Sequence, residues 1–330
     1  MATIVDIAKL VGVSKSTVSR VISGSGSCKP KTREKILEAM KQTNYSPNRL
    51  ARAMVTKKTG IIGVIIYRKH MPIISHPFYG AILDAIATET RKAGYSILIM
   101  ADDEATMDAG DQVIQHRVDG LILLSRVTEE LINYYKHTSI PFVLINNTVI
   151  AEGTTYIVND DYMGAYEAAM HLNSKNYKNI AYISGPLENR SYRLRWEGFQ
   201  AAAQLCGMTI KPEHFFTGDS VVETGISAAN QLLQAGELPE AVFASNDMTA
   251  IGILQVFGLK GIRIPQDVAV MGFDDIDFSK YTTPPLTTVS VDKRQMGALA
   301  VNKLLALLEG EEQQGESIVI PSKVVYRCST

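Results

Sequence analysis

Seven short, uncharged, apolar runs constrain this chain more than any other feature. They occupy residues 60–66 (GIIGVII), 96–100, 120–124, 142–145, 180–183, 241–244 and 268–271. A strand buried on both faces reads as an uninterrupted apolar run, whereas a half-exposed strand alternates. Stretches with helical spacing at 78–93, 105–117, 161–175, 192–206, 223–235 and 247–259 separate most of the runs. Strand–helix alternation of this kind builds βαβ units and an open, doubly wound parallel sheet. Seven strands exceed the usual content of one sheet, so two similar lobes are expected. A cleft between lobes is a common seat for a small ligand.

Composition narrows the function classes. With 46% hydrophobic and 20% charged residues, the 330-residue chain has a globular make-up, not that of a disordered chain or coiled coil. No run of 18 uncharged apolar residues occurs, so no membrane-spanning helix is expected. The start, MATIVDIAKLVGVSKS, lacks the pattern of a secretory leader, and the cytoplasm is the expected compartment. Cys28, Cys206 and Cys328 are odd in number and far apart, against a disulfide framework or a zinc cluster. No metal or other cofactor is expected.

The net charge of −1 hides an asymmetry. Residues 1–60 hold twelve Lys and Arg against Asp6, Glu34 and Glu38, a surplus of +9 on a body of −10. A small basic head on a large acidic body points to a polyanion partner for the head, the alternative being a merely solvated basic face. The head reads as three short helices. Thr3 and Asp6 fit a capping box ahead of Ile4, Ile7, Ala8 and Val11. Gly12 suits the helix end, Ser14 caps a second helix, and Pro30 opens a third. Residues 7–22 thus form a helix, a tight turn and a helix, which is helix-turn-helix geometry. The second helix of such a unit enters the DNA major groove N-terminus first. Lys15 and Ser16 lie in its first turn and Arg20 one turn on, all able to donate to base edges.

The segments TIVDIAKLVGVSKSTVSRVISG and KTREKILEAMKQTNYSPNRLARAM resemble the DNA-binding head of the LacI/GalR family of bacterial repressors. The body is similar too, at HPFYG, VDGLILLS, PFVLINN, ASNDMTAIGILQVFGLKGIRIPQDVAVMGFDDI, PPLTTVSVD and YRCST. The resemblance spans essentially the whole chain. It implies an α/β fold class: a small all-α helix-turn-helix head plus two doubly wound parallel-sheet lobes of periplasmic-binding-protein type. It also implies a homodimer on a near-palindromic, double-stranded operator. The expected domains are a DNA-binding head over 1–47, a hinge helix and linker over 48–59, and a two-lobed effector-binding and dimerisation domain over 60–330. Three positions depart from the family habit: Ser23 stands where Asn is usual, Cys28 where Val is common, and Met54 where Leu is usual. Cys28 as a packed small hydrophobe is favoured over a redox sensor.

The candidate DNA-contacting set is Thr3, Ser14, Lys15, Ser16, Thr17, Arg20 and Tyr45, with Arg49, Arg52 and Met54 in the hinge. Residues 48–55 are too few to hold a helix alone in water, which takes about 12–15. That hinge is therefore expected to form its helix only on the operator, with Met54, by resemblance, as an apolar wedge in the minor groove.

In open α/β sheets ligands sit outside the carboxyl ends of strands. The candidate effector set is Phe78 and Tyr79, which match family stacking positions, with Ser125, Asn147, Asn189, Ser191, Arg195, Asn246, Asp247 and Asp274. Amides, carboxylates and one Arg beside aromatic platforms suit a polyhydroxylated ligand, because each hydroxyl donates and accepts. A sugar is favoured over a nucleobase. Trp196 reads as helix packing beside Arg195, and His70 and His76 as residues of a solvated loop.

Enzymatic signatures are missing. Gly24 and Gly26 are followed by Lys29 where a dinucleotide fingerprint needs glycine, and there is no Walker loop, GxSxG or HExxH. Asp274 and Asp275 could serve acid–base chemistry, but adjacent residues at a strand exit point apart, and ligand hydrogen bonding is favoured. The reading is a repressor controlled by a small molecule. A solute-capture protein and an enzyme on an α/β scaffold remain the alternatives.

Overall fold

The computed structural model describes residues 2–23, 28–43, 45, 58–67, 74–102, 117–125, 128–146, 152–311 and 315–330. The head consists of α1 (Ile4–Val11), α2 (Lys15–Ser23) and α3 (Pro30–Gln42). Local chemistry sets each boundary. Thr3 N donates to Asp6 Oδ2 at 2.8 Å while Asp6 N donates back to Thr3 Oγ1 at 3.4 Å, closing the capping box. Gly12, at φ 69°, ends α1 in the left-handed region that glycine tolerates. Ser14 Oγ accepts from Thr17 N at 3.1 Å at the start of α2. Ile7, Ala8, Val18, Val21, Ile36 and Ala39 make a core of the head's own.

The first lobe is built on a six-stranded parallel sheet. Its strands are β1 (Ile61–Tyr67), β2 (Ser96–Asp102), β3 (Gly120–Ser125), β4 (Phe142–Ile145), β5 (Thr155–Asn159) and the late-arriving β11 (Ser317–Ile320). Their spatial order is β11-β5-β4-β3-β1-β2. Helices α4 (Pro77–Lys92), α5 (Glu129–His137) and α10 (Lys293–Glu309) belong to this lobe. A Cβ at Gly297 would stand 2.7 Å from both Ala85 Cβ and Ile82 O, so glycine there lets α10 lie close on α4.

The second lobe has a four-stranded parallel sheet in the order β7-β6-β8-β9. These are β6 (Ile180–Ser184), β7 (Phe215–Thr217), β8 (Ala241–Ala244) and β9 (Ala269–Met271). Helices α6 (Asp161–Ser174), α7 (Arg190–Leu205), α8 (Val222–Ala235) and α9 (Asp247–Leu259) pack as pairs, α6 with α7 and α8 with α9. The expected pair of parallel lobes is present.

The chain passes between lobes three times: from β5 into α6, from β10 (Thr288–Ser290) into α10, and from β11 into β12 (Lys323–Val325). β10 and β12 pair antiparallel, and Asp160 N donates to Ile320 O at 2.8 Å, so the three crossings are bound together.

All seven apolar runs fall on strands, and five of the six expected helices match to within two residues at either end. The expected helix at 105–117 lies, apart from Arg117, outside the described residues. Five strands (β5, β7, β10, β11, β12) and two helices (α5, α10) were not anticipated. β7, β10 and β12 have only three residues each, and β11 (SIVI) carries only three apolar residues after a serine, so none gives a run-length signal.

Candidate functional site

Two regions gather functional side chains. In the head, Val18 and Val21 turn one side of α2 inward, which leaves Lys15, Ser16 and Arg20 exposed on the other. Ser14 is exposed as well and lies 2.7 Å from Ser16 Oγ and 2.8 Å from Thr17 Oγ1. This hydroxyl cluster fixes the first turn from which Lys15 projects. Thr17 is half-buried, and Tyr45 packs against the head core with its N–H on Met40 O at 3.0 Å. Thr3 is exposed but committed to its capping box. Arg49, Arg52 and Met54 lie outside the described residues.

The second region lies beyond the carboxyl ends of the strands of the second lobe. Its centre is Arg195 on α7, only 3% exposed. Arg195 Nε donates to Asp161 Oδ1 at 2.7 Å, and Nη1 reaches Ser245 O at 2.6 Å and Asp274 Oδ1 at 3.1 Å. The guanidinium carbon lies 3.8 Å from the centre of the Phe273 ring. Burial opposes the charge of Arg195, but Asp161 and Asp274 outweigh it and hold the group protonated. Asp274 is pushed up to about 6 by burial and the charge of Asp161, against the pull of Arg195 and Lys293. It stands at φ 111°, a strained conformation for a residue with a side chain. Its neighbour Asp275 turns the other way to pair with Arg327, as strand-exit geometry predicts.

Two asparagines of the expected set cap helices that frame this region. Asn189 Oδ1 accepts from Ser191 N at 3.0 Å, and Asn246 Oδ1 from Thr249 N at 3.0 Å. Ser191 Oγ donates across the cleft to Asn146 Oδ1 of the first lobe at 3.3 Å. On the first-lobe side, Phe78 is buried and Tyr79 half-buried at the start of α4, their rings edge-on at 5.1 Å. Lys293 Nζ, at the start of α10, lies 5.8 Å from the Phe78 ring centre.

Asp247, of the expected effector set, is held by protein partners on both oxygens. It is fully buried, with Oδ1 accepting from Thr288 Oγ1 and Oδ2 from Ile276 N at 2.9 Å. Burial and the charge of Asp274 raise it well above the usual carboxylate range. One oxygen thus anchors the loop after β9 and the other the start of β10. His76 is no idle loop residue either, because its Nδ1 accepts from Phe78 N at 3.2 Å and Tyr79 N at 3.3 Å and so caps α4. Asn147, His70 and the side chain of Ser125 lie outside the described residues.

Asn146, Asp161, Phe273 and Lys293 were missed. Asp161 and Lys293 each begin a helix just after a lobe crossing, and neither crossing was visible without β5 and α10. Trp196 points away from the cleft and packs edge-to-face on Tyr182 at 4.8 Å and Phe215 at 4.7 Å. There it lines an outer groove of about 540 Å³ with Leu187, Met208 and Ile210.

Known proteins share this arrangement. Residues 3–48 match the model of bacterial regulatory proteins of the lacI family, and residues 169–330 that of a periplasmic binding protein-like domain. The chain is 32% identical over 334 residues to the HTH-type transcriptional repressor PurR of Histophilus somni (strain 129Pt), covering 100% of this chain and 99% of that protein. It belongs to the LacI family. This LacI-family chain is also 34% identical over 310 residues to the ribose operon repressor of Escherichia coli (strain K12), with 92% of each covered. Its fold superposes on a lac repressor dimer bound to operator and the anti-inducer ONPF with a TM-score of 0.87 at 28% identity, over 100% of this chain and 99% of that one. A cellobiose complex of the transcriptional regulator CelR gives a TM-score of 0.76 at 27% identity, with 100% of both chains covered. The relatives are transcriptional repressors, and this LacI-family chain is a DNA-binding transcriptional regulator.

Proposed function

We propose that this regulator is a cytoplasmic homodimer that represses a catabolic operon and answers to a sugar or sugar derivative held between its lobes. The proposed boundaries are a DNA-reading head over 1–47, a hinge over 48–59 and a two-lobed body over 60–330. In the head, Lys15, Ser16 and Arg20 read bases, with Thr3, Ser14, Thr17 and Tyr45 supporting the contact and Arg49, Arg52 and Met54 acting at the hinge.

One observation carries the effector reading. Arg195 is held between Asp161 and Asp274 at the carboxyl ends of the strands, beside the cross-lobe hydrogen bond from Ser191 to Asn146. Charged donors and acceptors fixed side by side satisfy vicinal hydroxyls, which donate and accept at once. Phe78, Tyr79, Ser125, Asn147, Asn189 and Asn246 complete the proposed contact set. Two of the similar proteins agree with this choice, one a ribose operon repressor and the other a regulator in complex with cellobiose. A ligand that binds one lobe arrangement better than the other shifts operator affinity by that difference. The test is a gel shift on genomic fragments with and without a panel of pentoses, hexoses and nucleobases. The reading expects a sugar to change operator affinity; a response to nucleobases alone overturns the sugar assignment.

A further inference from the structure

We propose that Asp161 and Lys293 are positioning residues that tie the Arg195–Asp274 pair to two of the lobe crossings, so that ligand cleft and crossings form one polar chain. The proposal rests on the reading of that cleft as the effector site.

The chain can be followed bond by bond. Asn159, the last residue of β5, donates through Nδ2 to Asp161 Oδ1 at 2.7 Å. The same oxygen accepts from Arg195 Nε at 2.7 Å. Arg195 Nη1 meets Asp274 Oδ1 at 3.1 Å. The backbone carbonyl of Asp274 accepts from Lys293 Nζ, which donates also to Asp275 O at 3.0 Å and Val291 O at 3.1 Å. Asp161 is the first residue of α6 and Lys293 the first of α10. Each therefore begins the helix that follows a crossing. The buried guanidinium of Arg195 joins both.

Stability alone does not account for this arrangement. A buried ion pair gains little over apolar residues of the same shape, because desolvation offsets the attraction. Asp161 Oδ2 is moreover buried with no hydrogen-bond partner, a costly atom to retain. Lys293 spends its charge on backbone carbonyls, against a burial that lowers its proton affinity. What these side chains do is fix the crossings relative to Arg195. A ligand that displaces Arg195 or Asp274 then moves both crossings together, which the cleft walls could not do separately.

The test is amide hydrogen exchange on the full chain for wild type, Asp161→Asn, Lys293→Met and the double variant, with and without D-ribose as probe. Each single substitution is expected to speed exchange about tenfold at both crossings, residues 159–162 and 290–293, and not only at its own. The double variant should fall short of the product of the two, the mark of coupled residues. Amides of β6 and β8 should keep the wild-type rate. Loosening confined to the mutated crossing, or effects that simply multiply, overturns the proposal. If Lys293→Met does not fold, Lys293→Gln, which retains a donor of shorter reach, decides in the same way. The ribose arm separates the two readings. Reciprocal loosening without ribose protection contradicts ribose as the effector and leaves the tie standing, whereas ribose protection with purely local loosening removes the tie and leaves the cleft.

Discussion

The head and the cleft handle charge in opposite ways. On α2 the charged side chains Lys15 and Arg20 are exposed on a small, separately packed helical unit, where a polyanion can reach them. In the cleft, Arg195, Asp161 and Asp274 are buried and already paired with one another. An exposed charge costs little to hold and contributes mainly on contact, where it displaces counterions. A buried charge must be paired before any ligand arrives, so the residues of the cleft carry structure and recognition together. Substitutions of the exposed charges in the head should therefore change what is bound and leave the fold intact. Substitutions in the cleft should change both.

The largest expected effect is at the centre of the cleft. Arg195→Leu leaves two buried carboxylates without their guanidinium, and breaking a buried pair costs about 3–5 kcal/mol. Chemical denaturation of the variant should show that loss. A cost under about 1 kcal/mol would place Arg195 in the same class as the exposed head residues.

The pH dependence comes next. Asp274 is raised from 3.8 to about 6, so the folded chain holds a proton that the unfolded chain releases. This contribution is complete below the unfolded value and lost as pH rises through about 6, a total of about 3 kcal/mol at 1.36 kcal/mol per pH unit. Asp274→Asn should remove that slope between about pH 4 and 6 from a stability profile. An unchanged slope would assign it to another group.

In the head the effects are smaller and of another kind. Arg20→Ala should relax base preference at one operator position by about 1–3 kcal/mol, with melting temperature nearly unchanged. Selection of bound sequences from a random pool reads this directly, and an intact preference would displace Arg20 from base reading. Thr3→Ala should cost about 1 kcal/mol through the lost cap, visible in the melting of the head with base preference retained.

The two regions also differ in how much of them can be read from the chain. Head signals are local: Thr3 and Asp6 are three residues apart, and Gly12, Ser14 and Pro30 each act on the adjoining turn. The sheets were legible because strands buried on both faces leave apolar runs such as 60–66. Cleft residues meet across 34 positions in Asp161–Arg195 and 45 in Asn146–Ser191, and no periodicity marks such pairs. Arg195 and Asp274 were found because they flank recognisable elements. Asp161 and Lys293 were not, because their partners, Arg195 and the Asp274 carbonyl, lie far along the chain. A carboxylate at a strand exit such as Asp247 can face the ligand or the lobe, and its partners Thr288 and Ile276, far along the chain, leave no local signal.

The central claim is that occupancy of the Arg195–Asp274 cleft governs operator binding by a head that has its own core. The most direct measurement is operator affinity of the full chain, at fixed salt, with and without each sugar of the panel, for wild type and Asp274→Asn. The account predicts at least one sugar that changes wild-type affinity by between about 5- and 150-fold, with less than a twofold change in Asp274→Asn. The same sugar response in both proteins would contradict it.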